Sequence, residues 1–376
     1  MYTAVISGIA EAVSSADAPT VESLETLIFR AASAALDAAG LERKDLDGVV
    51  IAASDQVDGR AISSMLTSGP AGAYLNEEIN VASSPAHALI LAWMQVLSGT
   101  HRRLLVTTWG KASESGGSQP AEHLSVEPFF ERDAGLSAIA AAALQAQRHR
   151  EAGDARTEAA CAAVASKNHG VDGQGAARVT SAEVLSSDIV AFPLRALECP
   201  TEIDGSFSLV VERADRAAER PVALEGAGWC SDSGRLAERD LVAVPHLRRA
   251  AGEACSRARV SQPADEIGVF ELHDYTPDAE LLAYPAVGLC KAGEAADLAL
   301  EGVTAGGGRS PVNRTGGSVG GEAPFGGPMR KVLAAVRQLR GEAGDAQSAG
   351  AGRALVQIST GFAGQFASAF VLRSAT

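Results

Sequence analysis

Short runs of almost unbroken apolar residues, separated by segments with helical periodicity, constrain this chain more than any other feature. Val49-Val50-Ile51-Ala52-Ala53 and Leu104-Leu105-Val106-Thr107-Thr108 are brief and lack the alternation of a half-exposed strand. Such runs suit strands covered on both faces. Ahead of the first, a helix is predicted from about Val21 to Ala39, with Leu24, Leu27, Ile28, Ala31, Ala35 and Leu36 on one face and Gly40 as its stop. Another is predicted from about Pro85 to Leu97, between the two runs, and Thr3 to Ile9 reads as an opening strand. Strands alternating with helices in this way give a layered α/β fold.

The order then recurs. Gly205 to Glu212 closes a first half as a strand, and the polar stretch Arg213 to Arg220, ending at Pro221, is the best linker. A second half follows with a strand at Val222 to Gly226, a helix at Pro245 to Arg257 and a strand at Ile267 to Leu272. It ends with a helix at Met329 to Arg340 and strands at Ala354 to Ile358 and Phe366 to Leu372. The chain is expected to divide into residues 1–215 and 216–376, two similar halves meeting over one site. Within the first, residues of about 112–200 change character. Ala-rich helices at Ala134 to Arg150 and Arg156 to Asn168 read as an inserted helical cap.

Composition narrows the function. A net charge of −14 argues against a nucleic-acid or anionic-membrane surface, which needs clustered positive charge. The local cluster His101-Arg102-Arg103 reads as an exposed surface turn, with a phosphate contact as the alternative. The cysteines (Cys161, Cys199, Cys230, Cys255, Cys290) are odd in number and include no CxxC pair. Neither a disulfide framework nor a structural zinc site is expected, and a reducing cytoplasm fits best. The start, Met-Tyr-Thr-Ala-Val-Ile-Ser-Gly, lacks the basic and apolar regions of a signal peptide. Leu136 to Leu144, the most apolar helical stretch, is too short to span a bilayer.

Several stretches, in order along the chain, carry a family resemblance. They are Ala38-Ala39-Gly40-Leu41 with Asp45-Leu46-Asp47-Gly48, Ser166-Lys167-Asn168-His169, and Cys199-Pro200 with Asp204-Gly205. Pro193-Leu194 before Cys199, His273-Asp274-Tyr275-Thr276 with Glu280-Leu281-Leu282, Gly288-Leu289-Cys290 with Gly293-Glu294-Ala295, and Pro311-Val312-Asn313 with Gly316-Gly317 complete them. Together they resemble the thiolase superfamily, in the branch of sterol-carrier-protein-type thiolases and bacterial lipid-transfer homologues. The resemblance implies the thiolase fold, a five-layered αβαβα sandwich, and a homodimer paired through the first half. It implies an acyl-CoA or carrier-bound acyl thioester as substrate, with no tightly bound cofactor and no metal.

The family's two diagnostic positions are changed. Where a nucleophilic cysteine precedes a helix, this chain has Ala82-Ser83-Ser84-Pro85, and alanine cannot be acylated. Ser84 reads as a helix N-cap before proline, or as a substitute nucleophile beside Ser83. His87, one turn on, is a packed histidine or a base. Where the family has Gly-His-Pro, the chain reads Gly321-Glu322-Ala323-Pro324-Phe325, so Ala323 replaces the histidine. Gly-Glu-Ala also resembles the steroid side-chain aldolase members, which lack the cysteine and work with a small OB-fold, zinc-ribbon partner. Those typically carry a tyrosine soon afterwards, where Pro324-Phe325 stands here. Ser359-Thr360-Gly361 lies where biosynthetic thiolases have a second cysteine.

His273 and Tyr275 remain at a strand end, where α/β layers place their sites. Histidine moves protons near neutral pH, and a phenol donates to an oxyanion. Asp274 caps the next helix or orients backbone amides. Glu322 is a base with its pKa raised by poor solvation, or a partner of Arg309, Arg314 or Arg330. Ser83, Ser84, Asp274, Asn313, Gly316, Gly317, Ser359 and Gly361 are the candidate substrate contacts. Two functions stand. One is carbon–carbon bond chemistry of aldolase or acyltransferase type, without an acyl-cysteine, in lipid, steroid or polyketide metabolism. The other is a non-catalytic scaffold that stabilises an active homologue or an OB-fold partner.

Overall fold

The computed structural model describes residues 3–14, 22–170, 179–216 and 220–374. β1 (Ala4–Val13) opens the chain, and α1 (Leu24–Ala39) packs back on it. Ser23 caps α1 by accepting the Thr26 N–H, and Gly40 stops it at φ 68°, a left-handed conformation that glycine adopts without strain. β2 (Gly48–Ala52), β3 (Glu77–Val81), α2 (Pro85–Ser98) and β4 (Arg103–Gly110) follow. The chain then leaves the sheet for α3 (Ala138–Ala152) and α4 (Thr157–His169), returning through β5 (Gly205–Arg213). Beyond it come β6 (Val222–Ser231), α5 (Pro245–Arg257), β7 (Val269–Leu272), α6 (Pro277–Ala286) and α7 (Arg330–Arg340). β8 (Arg353–Thr360) and β9 (Phe366–Ser374) end the fold.

Hydrogen bonds join the nine strands in the order β3-β2-β4-β5-β1-β6-β9-β8-β7. β1 and β6 meet only at Val5–Ala223 and Ile6–Val222, so the sheet is two smaller sheets held at a short seam. Outward from that seam the pairings match. β1–β5 and β5–β4 are antiparallel and β4–β2 parallel; β6–β9 and β9–β8 are antiparallel and β8–β7 parallel. The parallel β2–β3 pair has its counterpart in a single parallel bridge between Phe270 and Val312. The recurrence in the sequence is therefore a recurrence of topology.

Three cores separate the layers. Leu89 and Trp93 of α2 and Val332 and Val336 of α7 fill the space between the sheets, against Val50 and Val106 on one side and Val356 and Phe370 on the other. Outside the first sheet, α1 sets Leu24, Ile28 and Ala35 on Val49, Ile51 and Leu105. Outside the second, α5 and α6 set Leu247, Ala254, Leu281 and Tyr284 on Phe270 and Leu355. The result is the five-layered αβαβα thiolase fold. Odd and even positions of one strand face different cores, which is why β2 and the start of β4 are apolar throughout.

Most element limits fall within a few residues of expectation. β1 runs on to Val13 because its last residues pair with Gly205 to Ser208. The helix expected from Ala134 starts at Ala138, where Ser137 accepts the Ala140 N–H as its cap. Of the expected linker, Arg213 ends β5 and residues 214–216 form one 3-10 turn. Residues 217–219, and Val21 at the expected start of α1, lie outside the described residues. His101 does not sit on an exposed turn: it is buried with Nε2 2.9 Å from Glu77, and Arg103 pairs with the buried Glu212. Among the described residues no helix is long and apolar enough to cross a membrane.

Candidate active site

β7 and β8 run side by side in parallel, with Leu272 opposite Gln357. The chain leaves β7 at His273, whose N–H is shared between the Gln357 main-chain oxygen (3.0 Å) and its Oε1 (3.2 Å). The glycine-rich loop that follows Asn313 delivers Glu322 to the same place. There Glu322 is pinned by its own N–H to Thr201 O (2.9 Å) and by the Ile203 N–H to its carbonyl (3.1 Å). Glu322 Oε1 lies 3.1 Å from His273 Nε2, and the two side chains are only 13% and 7% exposed.

Gly327 makes that approach feasible. A Cβ on Gly327 would lie 2.9 Å from Glu322 Oε1 and 3.0 Å from its Cδ, and the backbone there does not require glycine. Room for the carboxylate is the reason for the residue. Burial by itself would raise the Glu322 pKa. The His273 ring against it, with Lys331 farther back, outweighs burial and holds the group below the ordinary carboxylate range. This corrects the expected upward shift. It also corrects the expected arginine partner: Arg330 pairs with Glu11, and Arg314 donates to the Asp345 carbonyl.

A carboxylate only accepts hydrogen bonds, so His273 Nε2 carries the proton that faces it. In the neutral ring the other nitrogen is then a bare acceptor. His273 Nδ1 is buried and has no hydrogen-bond partner. Beside it the Tyr275 ring lies 6.4 Å from the imidazole, centroid to centroid. Burial, with Glu122 and Glu322 nearby, pushes the Tyr275 phenol well above its usual value, so it remains a donor.

His273, Tyr275, Glu322, Ser359 and Gly361 line one cavity of about 510 Å³. Its walls are apolar, from Ala141 and Ala142 of α3, Leu247 of α5, Leu282 of α6, and Phe325 and Phe362. Glu122 and Glu202 stand in it too, bridged by the Ser118 hydroxyl. Among the described lining residues there is no lysine or arginine.

The remaining candidates lie elsewhere. Ala82 and Ser83 are exposed, Ser84 and Ala323 are buried, and none of the four lines the cavity. Ser84 accepts the Ala86 N–H as the cap of α2, with Pro85 in the first turn. Ser83 Oγ is 2.9 Å from His87 Nδ1, and burial lowers the His87 pKa.

Asp274 turns away from the cavity and does not cap α6; Thr276 does, by accepting the Ala279 N–H. Asp274 instead accepts Asn168 Nδ2 (2.6 Å), Lys331 Nζ (2.8 Å) and the Ser318 N–H (3.0 Å). A Cβ on Gly317 would fall 1.9 Å from Asp274 Oδ2, so that glycine is there to admit the carboxylate. Gly316 and Gly317 line a smaller cleft of about 120 Å³, on whose edge Glu322 also stands. Asn313 takes the Leu272 N–H on Oδ1 (2.8 Å) and donates Nδ2 to Glu280 (2.7 Å). Glu280 also accepts Lys167, Asn168 and the Tyr284 hydroxyl. In the same layer Glu271 is fully buried with both carboxylate oxygens unpartnered, and burial pushes it up to about 7.

Three residues at the site escaped the sequence reading. Gln357 stands as one polar residue inside the apolar run Leu355-Val356-Gln357-Ile358, a signal that was available. His246 lines the cavity with Nε2 on the Gly364 carbonyl (3.0 Å) and Nδ1 3.0 Å from Asp232. Lys331 is buried where a lysine in a first helical turn would ordinarily be solvated. Outside the cavity, His149, Cys161 and Asp278 bring ligand-type atoms within 4.8 Å of one another. There Arg150 already pairs with Asp278 at 2.8 Å, and burial pushes the Cys161 thiol up, so the donor set suits a metal poorly.

Comparison with known proteins agrees with this fold. Residues 228–374 match the family described as thiolase C-terminal domain-like. An acetyl-CoA acetyltransferase of Methanothermobacter thermautotrophicus is 29% identical over 344 residues, covering 88% of this chain and 89% of its own. A 17-hydroxy-3-oxo-4-pregnene-20-carboxyl-CoA lyase of Mycobacterium tuberculosis is 30% identical over 258 residues, covering 65% of this chain and 66% of its own. Among solved structures, an Ltp2-ChsH2(DUF35) aldolase superposes with a TM-score of 0.81 at 22% identity, over 99% of this chain and 98% of that one. The chain is a thiolase-fold protein of the thiolase superfamily, related to acetyl-CoA acetyltransferases and to a CoA-thioester lyase.

Proposed function

We propose that this protein makes or breaks a carbon–carbon bond in an acyl-CoA or carrier-bound acyl thioester by aldol-type chemistry, without an acyl-enzyme. The observation that carries this reading is the buried Glu322–His273 pair in the wall of an apolar cavity, with His273 Nδ1 unpartnered. In the cleavage direction His273 Nδ1 takes the proton of a β-hydroxyl. The carbonyl forms as the bond to the α-carbon breaks, and the electron pair passes to the thioester as an enolate. The α-carbon is then protonated, which restores His273. Glu322 keeps the ring in the right tautomer and stabilises the imidazolium, and Tyr275 donates to the developing oxygen charge. An apolar cavity without lysine or arginine favours a bulky, uncharged acyl end, while the phosphates of CoA stay outside.

The Ltp2-ChsH2(DUF35) aldolase supports a partner of the DUF35 kind, in line with the small partner protein that the family resemblance implies. A homodimer through the first half belongs to the same proposal. The test uses 17-hydroxy-3-oxo-4-pregnene-20-carboxyl-CoA as a probe, with the full chain and a co-expressed DUF35 partner. Release of a ketone and a shorter acyl-CoA is expected from the wild type and not from His273→Ala or Glu322→Gln. Equal turnover by all three would refute the assignment.

A further inference from the structure

We infer that Ser359 is the donor that recognises the thioester carbonyl in the large cavity, and that Gln357 is the positioning residue that aims its proton there. The inference rests on the acyl-thioester reading above. Gln357 and Ser359 are two apart on β8, so their side chains share one face of the strand. Gln357 is 1% exposed, and both residues line the cavity.

The direction of the hydrogen bonds follows from which groups can only donate. The main-chain N–H of His273 lies 3.2 Å from Gln357 Oε1, which fixes the amide with its oxygen toward β7. Gln357 Nε2 then points at Ser359 Oγ, 2.7 Å away. An amide N–H cannot accept, so the serine oxygen is the acceptor in that contact and its proton must point elsewhere. Among the described residues no protein group takes it. Gly364, whose missing side chain would reach Ser359, leaves the space beside the hydroxyl open.

The hydroxyl therefore offers one donor to whatever occupies the cavity. A carbonyl oxygen, which accepts and never donates, is its complement. His273 N–H, the Gln357 amide, Ser359 and a bound carbonyl form one chain with every bond oriented the same way, so each polarises the next. The bond to the ligand strengthens as the carbonyl becomes an enolate oxygen. Serine in this place acts as a donor, which requires no change of protonation.

Propionyl-CoA labelled with ¹³C at the carbonyl is the probe, titrated into the full chain and followed by NMR. A saturable downfield shift of the carbonyl resonance is expected with the wild type and with Ser359→Thr, and its loss with Ser359→Ala. Gln357→Glu should lose it as well, because a carboxylate would accept the serine proton and reverse the chain. His273→Ala should keep it, since the main-chain N–H that orients Gln357 remains and only the side chain is lost. With the turnover probe, Ser359→Ala should lose about 100-fold in kcat at little change in KM. Saturable binding with an unaltered shift in Ser359→Ala would overturn this inference alone. No saturable binding to the wild type would overturn the functional proposal and this inference with it.

Discussion

His273 and Asp274 are consecutive residues at the end of one strand, yet they end in opposite kinds of surroundings. Asp274 enters a polar layer and takes three donors there, and Glu280 next to it takes Lys167, Asn168, Asn313 and Tyr284. His273 enters an apolar cavity with one partner and one unanswered nitrogen. A group with its partners in place holds the fold, and one left short of partners in the wall of a cavity is free to meet a ligand. Both residues lie in the stretch that carries the family resemblance, so sequence alone does not separate their roles.

The sharpest way to break the comparison is to mutate both sides. His273→Ala and Glu322→Gln should lower kcat by about 10²–10⁴, the usual worth of a positioned acid or base. The urea midpoint of Glu322→Gln should move little, because the amide leaves no charge buried, whereas His273→Ala also leaves the Glu322 carboxylate unpaired and loses some stability. Asp274→Ala should do the reverse and remove about 3–5 kcal/mol of unfolding free energy, since it strands Lys331 as a buried, unpaired charge. Loss of stability in Glu322→Gln, or none in Asp274→Ala, would erase the distinction.

Glu271 sharpens it further. Its folded pKa, near 7, lies above the ordinary value of 4.5. The native state therefore binds the extra proton, and stability should fall as pH rises from about 4.5 to about 7 and be flat above. The shift corresponds to roughly 3 kcal/mol. Glu271→Gln should recover about that amount at pH 8 and nothing at pH 4, measured by urea unfolding at both values. An unchanged pH slope in the variant would show that the group ionises freely. The smallest effects are expected at the start of α2. Ser84→Ala should cost about 1 kcal/mol as a lost helix cap, and Ser83→Ala should leave kcat unchanged.

Much of the fold was legible because strands buried on both faces must be apolar throughout and helices announce their stops. Gly40, Gly99 and Gly341 end α1, α2 and α7 with positive φ, as the sequence suggested for the first of them. The candidate site was legible only in part. His273, Tyr275, Glu322 and Ser359 share one cavity. Glu322 and His273 are 49 positions apart, however, and only the loop's docking on Thr201 and Ile203 chooses histidine over the nearer arginines. Lys331 was hidden for a related reason. A lysine in the first turn of an amphipathic helix reads as solvated until the buried carboxylates of β7 and its extension are placed beside it. Asp274, Asn313 and Gly317 look like site residues in sequence because they are polar or small and adjacent to the site; three dimensions assign them to the polar layer beneath it.

Gly327 carries a consequence of its own. It contributes no atom to the chemistry, yet its side is where the Glu322 carboxylate rests. A single methyl group added there would make the acid shift against the imidazole while leaving both reacting groups in the chain. The working distance of the pair is set from behind, by absent volume. A chain of this kind can be disarmed or retuned at a position that no survey of reactive side chains would flag.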